Sequence, residues 1–125
     1  ETLRENFGSH DFFFIHYKPA DAAGEDGDFD AKVKRLEELD SFIPAIRELE
    51  PDVLVVAGDH ATPAITAGHS WHPVPFMLHS RLTKGEGVSA FNERTCRQGS
   101  IGRIPATNAM LLAMSHAGKM TKFGP

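Results

Sequence analysis

The chain predicts an α/β fold with a mostly parallel sheet flanked by helices. Three observations carry that expectation. Phe12-Phe13-Phe14-Ile15-His16-Tyr17 is a continuous apolar and aromatic run. A long amphipathic stretch follows, and then a second apolar run, Val53-Leu54-Val55-Val56-Ala57. Short unbroken apolar runs read as strands buried on both faces, the habit of parallel sheets. Strand, helix and strand in that order make a right-handed βαβ unit.

The first strand is expected at Phe12–Tyr17, with His16 packed inside it. Lys18 to Asp28 carries Pro19, Gly24 and Gly27 among polar residues and reads as a loop. A helix is expected from Phe29 to Leu49. Its apolar residues Val33, Leu36, Leu39, Phe42, Ile43, Ile46 and Leu49 recur at three- and four-residue steps, one stripe facing a core. Asp28 and Asp30 sit where carboxylates cap a helix and complement its dipole. Pro44 falls inside the pattern, so a kink or break is expected near Ser41. Pro51-Asp52 ends the helix, and Val53–Ala57 is the second strand.

A third, shorter strand is expected at Pro73–Leu78, then a turn or loop over Arg81–Gly87. The last helix is expected from Pro105 to about His116, with proline in its first turn and Gly118 past its end. Met110, Leu111 and Met114 would form its apolar face. No internal repeat, low-complexity tract or linker interrupts the chain, so residues 1–125 read as one unit.

Composition narrows the function. The 125 residues carry a formal net charge of -4 and no basic stripe, which argues against nucleic acid as a partner. No apolar run approaches the roughly 20 residues that span a bilayer, so no membrane partner is expected. A single cysteine, Cys96, excludes an intrachain disulfide and fits a reducing cytoplasm. Cys96 itself reads as a small buried hydrophobe. The chain opens on Glu1 rather than Met and is expected to be a piece of a longer protein.

The chemistry-bearing residues crowd the ends of the expected strands, where open α/β sheets place their sites. Asp21 and Glu25 follow the first strand. Asp59 and His60 follow the second, in Gly58-Asp59-His60-Ala61-Thr62-Pro63. His69 and His72 precede the third, in Gly68-His69-Ser70-Trp71-His72-Pro73. Three carboxylates and three imidazoles thus meet on one sheet edge, where unpaired carboxylates would repel and raise one another's pKa unless a cation neutralised them. Hard oxygens with imidazole nitrogens suit Zn²⁺ or Mn²⁺. Each residue alone has a plainer reading: Asp in a Gly-Asp turn is turn chemistry, and His before a proline-rich loop is exposed. His10, His79 and His116 have no constellation around them.

Taken together, these motifs make the chain similar to cofactor-independent phosphoglycerate mutases of the archaeal type, in the alkaline phosphatase superfamily. The resemblance runs from Phe14-Ile15-His16-Tyr17-Lys18 and Asp21-Ala22-Ala23-Gly24 through Asp28-Phe29-Asp30. It continues through the two histidine motifs, Phe91-Asn92-Glu93, Cys96 and Gly99-Ser100-Ile101-Gly102-Arg103, to Lys122-Phe123-Gly124. It implies the C-terminal part of an alkaline-phosphatase-like domain. It also implies two divalent ions, manganese or zinc, with Asp21 and His69 on one and Asp59 and His60 on the other. Where the family's first motif reads Asp-x-x-Gly-His, this chain has Glu25, which is kept as a ligand. Lys18 and Arg103 are candidates for contacting substrate phosphate.

The implied reaction interconverts 3-phosphoglycerate and 2-phosphoglycerate through a phosphoserine. The serine nucleophile, a further metal-binding aspartate and a substrate-binding insert belong to an N-terminal part absent here. The serines of this chain do not stand in the nucleophile's context, so the piece alone is expected to be inactive. The alternatives are a metal-dependent phospho- or phosphonohydrolase of the same superfamily, or a non-catalytic metal-binding domain.

Overall fold

A computed structural model of the chain describes residues 1–85 and 89–121. The described residues fall into two compact units. One comprises Glu1–Glu50 with Thr62–Ser70, the other Pro51–Ala61 with the described residues from Trp71 onward.

The first unit is helical. A short helix α1, Thr2–Asn6, is followed by a 3₁₀ turn at Phe7–Ser9. Residues 12–18 then carry no regular secondary structure and enter no β-ladder, so the strand expected at Phe12–Tyr17 does not form here. A strand needs a neighbour to take its alternate N–H and C=O groups, and among the described residues none pairs with this segment. His16, expected to be packed, is exposed and stacks on the Phe14 ring at 6.5 Å. Tyr17 is anchored to the next long helix through a 2.9 Å hydrogen bond from its hydroxyl to Glu38.

The stretch read as a polar loop holds a helix instead, α2, Pro19–Glu25. Pro19 sits at the first turn, where its missing N–H is harmless, and Ala20, Ala22 and Ala23 are the strongest helix formers. Those alanines outweigh the single Gly24. Gly27, at φ +72°, then turns the chain in the left-handed region open to glycine.

Helix α3 spans Phe29–Arg47. The Asp28 side chain accepts the Ala31 N–H at 2.8 Å, as a capping aspartate should. Of the kink or break expected near Ser41, the break does not occur: the helix continues through Pro44. Only three residues of helix follow the proline, so the lost bond to residue 40 falls in the last turn. Glu50, at φ +52°, and Pro51 end the segment. α2 packs on α3, and Ala23 and Gly24 are buried between them. The short α2 covers little of α3. Val33, Leu36 and Phe42 therefore stay 37–54% exposed, and the stripe is core on one flank only.

The second unit carries the sheet. Strand β1 is Val53–Ala57 and β2 is Phe76–Ser80, shifted toward the C-terminus from the strand expected at Pro73–Leu78. They pair antiparallel, Val53 opposite Ser80 and Ala57 opposite Phe76. The sheet among the described residues is thus two-stranded and antiparallel, not the mostly parallel sheet expected. With no ladder at residues 12–17, the parallel βαβ neighbour of β1 is missing, and β1 pairs with the next strand in the chain.

Beyond the sheet, a one-turn helix α4, Glu93–Cys96, is capped by Asn92, whose Oδ1 accepts the Thr95 N–H at 3.0 Å. Cys96 is half-buried rather than buried. A 3₁₀ turn at Ala106–Asn108 opens helix α5, Ala109–His116, and Gly118 at φ +69° closes it. α5 lies against β1, yet Met110, Leu111 and Met114 remain 40–53% exposed. Glu86 and Gly87 of the expected Arg81–Gly87 turn, and the Lys122-Phe123-Gly124 motif, lie outside the described residues. No helix among the described residues is long and apolar enough to cross a membrane.

Candidate metal centre

Helix α2 brings the first two candidate residues together. Asp21 and Glu25 are four residues apart on one helix, so they share a face one turn from each other. Two carboxylates at that spacing repel and weaken an isolated helix. Glu25 also ends α2, at the terminus where the helix dipole disfavours a negative charge. Local helix energetics therefore do not explain this pair; cationic or hydrogen-bonding neighbours must.

Those neighbours are present in the same unit. Lys18 forms an ion pair with Asp21 Oδ2. The Thr62 hydroxyl donates to Asp21 Oδ1 at 2.6 Å. Thr62 is 4% exposed, and the Asp21 side chain is 15% exposed. His69 Nε2 stands 3.4 Å from Glu25 Oε1 and 3.8 Å from Asp21 Oδ1. One imidazole nitrogen thus faces oxygens of two carboxylates.

The loop that delivers Thr62 and His69 is shaped locally. The Lys32 ammonium donates to the Thr62 carbonyl, tying the loop to α3. A Cβ on Gly24 would come within 2.5 Å of that carbonyl oxygen, so α2 approaches the loop this closely only because residue 24 has no side chain. A 3₁₀ turn at Ala64–Thr66 follows, with the Thr66 hydroxyl donating to the Pro63 carbonyl at 2.9 Å. Ala67, at φ +45°, then bends the chain toward Gly68 and His69.

Asp59 and His60 belong to the second unit, just past β1. The Asp59 carboxylate accepts the His60 N–H at 3.1 Å, and its other oxygen lies 3.6 Å from His60 Nε2. Gly58 packs so that a Cβ there would meet Val74 at 3.2 Å. His72 stacks on Trp71, ring centroids 5.2 Å apart. Arg103 is exposed in the same unit. Sequence reasoning missed Thr62, whose signal was a threonine inside the Gly-Asp-His-x-Thr-Pro motif. It also missed Lys32.

The donor set can be judged against a divalent cation. Asp21 and Glu25 offer hard oxygens and His69 a borderline nitrogen, all accessible to a small ion. Asp21 already carries a neutral hydrogen-bond donor that would orient a ligating carboxylate. In donor type, Asp21 and His69 suit such an ion.

Residues 1–116 match the family model described as the metalloenzyme superfamily. Among curated proteins, the chain is 49% identical over 124 residues to a probable 2,3-bisphosphoglycerate-independent phosphoglycerate mutase of Thermotoga petrophila. It is 44% identical over 124 residues to the protein of that name from Thermus thermophilus. Each alignment covers 99% of this chain but only 31% and 30% of the relative. The chain therefore spans about a third of the length of the curated relatives it matches. A solved structure of a Pyrococcus horikoshii protein superposes with a TM-score of 0.92 at 31% identity, over 99% of this chain and 38% of that one. By the family model that covers all but its last residues, the chain belongs to the metalloenzyme superfamily.

Proposed function

We propose that the chain is the C-terminal, metal-holding portion of a 2,3-bisphosphoglycerate-independent phosphoglycerate mutase. The whole enzyme would interconvert 3-phosphoglycerate and 2-phosphoglycerate. The observation that carries this reading is identity of 44–49% to proteins of that name along nearly the whole chain. The nearness of His69 to Asp21, and separately to Glu25, supports it from the chemistry.

In this reading Asp21, Glu25 and His69 hold one divalent ion, and Asp59 and His60 supply ligands to a second, manganese or zinc. Bound there, such ions supply Lewis acidity, stabilising a serine alkoxide and the charge on a transferring phosphoryl group. The chain's own residues supply order. Thr62 holds one oxygen of Asp21 and leaves the carboxylate's other lone pairs to its neighbours. Lys18, beside Asp21, provides a cation near the phosphoryl group, and Arg103 would be a second phosphate contact. The nucleophilic serine, and the residues that retain the glycerate, lie in a part of the polypeptide outside this chain. A single half-buried cysteine fits a cytoplasmic location.

The test uses the complete protein with manganese and 3-phosphoglycerate, without 2,3-bisphosphoglycerate. Formation of 2-phosphoglycerate is the expected result. Release of inorganic phosphate alone would overturn the mutase reading in favour of a hydrolase of the same superfamily. Absence of both, with folded and metal-loaded protein, would leave a metal-binding domain without catalysis.

A further inference from the structure

We infer that Lys32 is a positioning residue for the Asp21–His69 pair: from α3 it holds the Thr62 carbonyl, and through Thr62 it sets the loop that faces Asp21. This role rests on the reading of Asp21 and His69 as ligands. Lys32 sits in the first turn of α3, and its own N–H bonds the Asp28 carbonyl at 3.0 Å. Its backbone is therefore fixed by the capped end of the helix. Its half-buried ammonium donates to the Thr62 carbonyl. Among the described residues no carboxylate pairs with this ammonium. A cation drawn out of bulk water needs an acceptor, and here the acceptor is one backbone oxygen. A charged donor makes that bond about twice as strong as a neutral one.

Thr62 is thereby held from both ends. Its carbonyl takes Lys32, and its hydroxyl donates to Asp21 Oδ1 at 2.6 Å. α2, α3 and the loop meet at this one buried residue. Gly24 makes the meeting possible. A Cβ there would stand 3.1 Å from Lys32 Nζ and 2.5 Å from the carbonyl oxygen, so ammonium and carbonyl join beside a bare Cα. Further along the same loop, His69 Nε2 comes to 3.8 Å from Asp21 Oδ1. Without Lys32, the Thr62 carbonyl would be left without its donor, a state that costs more than the bond itself contributes. The loop would relieve it by moving toward water, and that movement draws the Thr62 hydroxyl off Asp21.

The test uses the complete protein with its Lys32→Met, Lys32→Gln and Lys32→Arg variants, and Asp21→Asn beside them. Methionine keeps the apolar stem and removes the donor. Arginine restores a cationic donor at a site that is neither bidentate nor stacked, where the exchange is tolerable. Circular dichroism establishes folding, and Lys32→Gln, shorter and neutral, carries the test if Lys32→Met does not fold. Amide hydrogen exchange of the metal-free protein reads the loop directly. Lys32→Met should speed exchange over residues 62–69 by roughly 10-fold, the scale of one buried partner lost, and leave the middle of α3 unchanged. Manganese affinity, followed by electron paramagnetic resonance, should fall roughly 10-fold. KM for 3-phosphoglycerate at saturating manganese should keep the parent's value, and Lys32→Arg should restore most of the loop protection and the affinity. Unchanged exchange and affinity in a folded donor-free variant would overturn the inference. So would a raised KM with unchanged exchange, which would make Lys32 a substrate contact. If Asp21→Asn binds manganese as the parent does, the ligand reading fails, whatever the loop shows in the Lys32 variants.

Discussion

The Thr62 hydroxyl donates to Asp21 Oδ1 at 2.6 Å, from a side chain that is 4% exposed. A buried neutral donor on a carboxylate fixes its rotamer without consuming its charge. Thr62→Val keeps the shape and removes the donor. It should lower stability by about 1–3 kcal/mol, the cost of an unmet buried partner. Metal affinity should fall by roughly 10–100-fold. Thr62→Ser should retain most of both. Calorimetric titration with manganese, beside a denaturant curve, checks the pair; equal affinity for Thr62→Val would deny Thr62 any part in positioning Asp21.

Gly24 gives a prediction in which two effects oppose. Inside a helix, Gly→Ala gains up to about 1 kcal/mol of propensity. Here the added Cβ would come within 2.5 Å of the Thr62 carbonyl oxygen and 3.1 Å of Lys32 Nζ. The carbonyl is backbone and cannot swing away, so overpacking of roughly 1–3 kcal/mol should win. Gly24→Ala is expected to lower the unfolding midpoint and, by pushing the Thr62 loop outward, to weaken metal binding. A midpoint at or above the parent's would show that the loop yields cheaply.

How much of this was legible beforehand depends on where each segment finds its partners. The cap of α3 was readable because Asp28 and Ala31 are three residues apart, and capping is local. Val53–Ala57 was readable as a strand because its β-branched run leaves little choice. Phe12–Tyr17 is also a largely apolar run but has no neighbouring strand among the described residues, and composition does not say whether one is present. Helix α2 was hidden by its glycine and acidic residues, although Pro19 and the alanines argue for it. Its recognition would have placed Asp21 and Glu25 on one face by spacing alone. The closeness of His69 to both depends on the Ala64–Thr66 turn and on Gly24, a tertiary approach that no local pattern encodes.

The Tyr17–Glu38–Arg35 cluster predicts a pH dependence. Arg35, at 2.9 Å, lowers the Glu38 pKa by its hydrogen bond, and Tyr17 adds to this. A carboxyl held below its unfolded value of about 4.3 contributes stability that is present above that pH. The contribution is lost as pH falls through the folded value. Tyr17 is shifted the other way, upward, by desolvation and then by Glu38. Its contribution is present below pH about 10 and is lost as pH rises further. Glu38 is exposed and Tyr17 only half-buried, so the effects are small. Glu38→Gln should flatten the fall in melting temperature below about pH 4.5 and lower the ionisation pH of Tyr17 seen by ultraviolet titration. If both profiles match the parent's, the cluster does not couple to folding.

Metal removal should be visible as stability. A ligand that binds only the native state stabilises it by RT ln(1 + [L]/Kd), about 2.7 kcal/mol at a hundredfold excess over Kd. Adding manganese to chelator-treated protein should therefore raise the melting temperature by several degrees, and the chelator should reverse the rise. Asp21→Asn and His69→Ala should each abolish most of the part of the shift that belongs to their ion. The apo variants themselves tell the two roles of Asp21 apart. Asp21→Asn can still accept from Thr62, so its apo stability should stay close to the parent's while its response to manganese is lost. Thr62→Val should show the reverse balance, a lower apo melting temperature with a reduced but measurable response. A manganese shift that survives unchanged in both Asp21→Asn and His69→Ala would place the ion elsewhere in the protein.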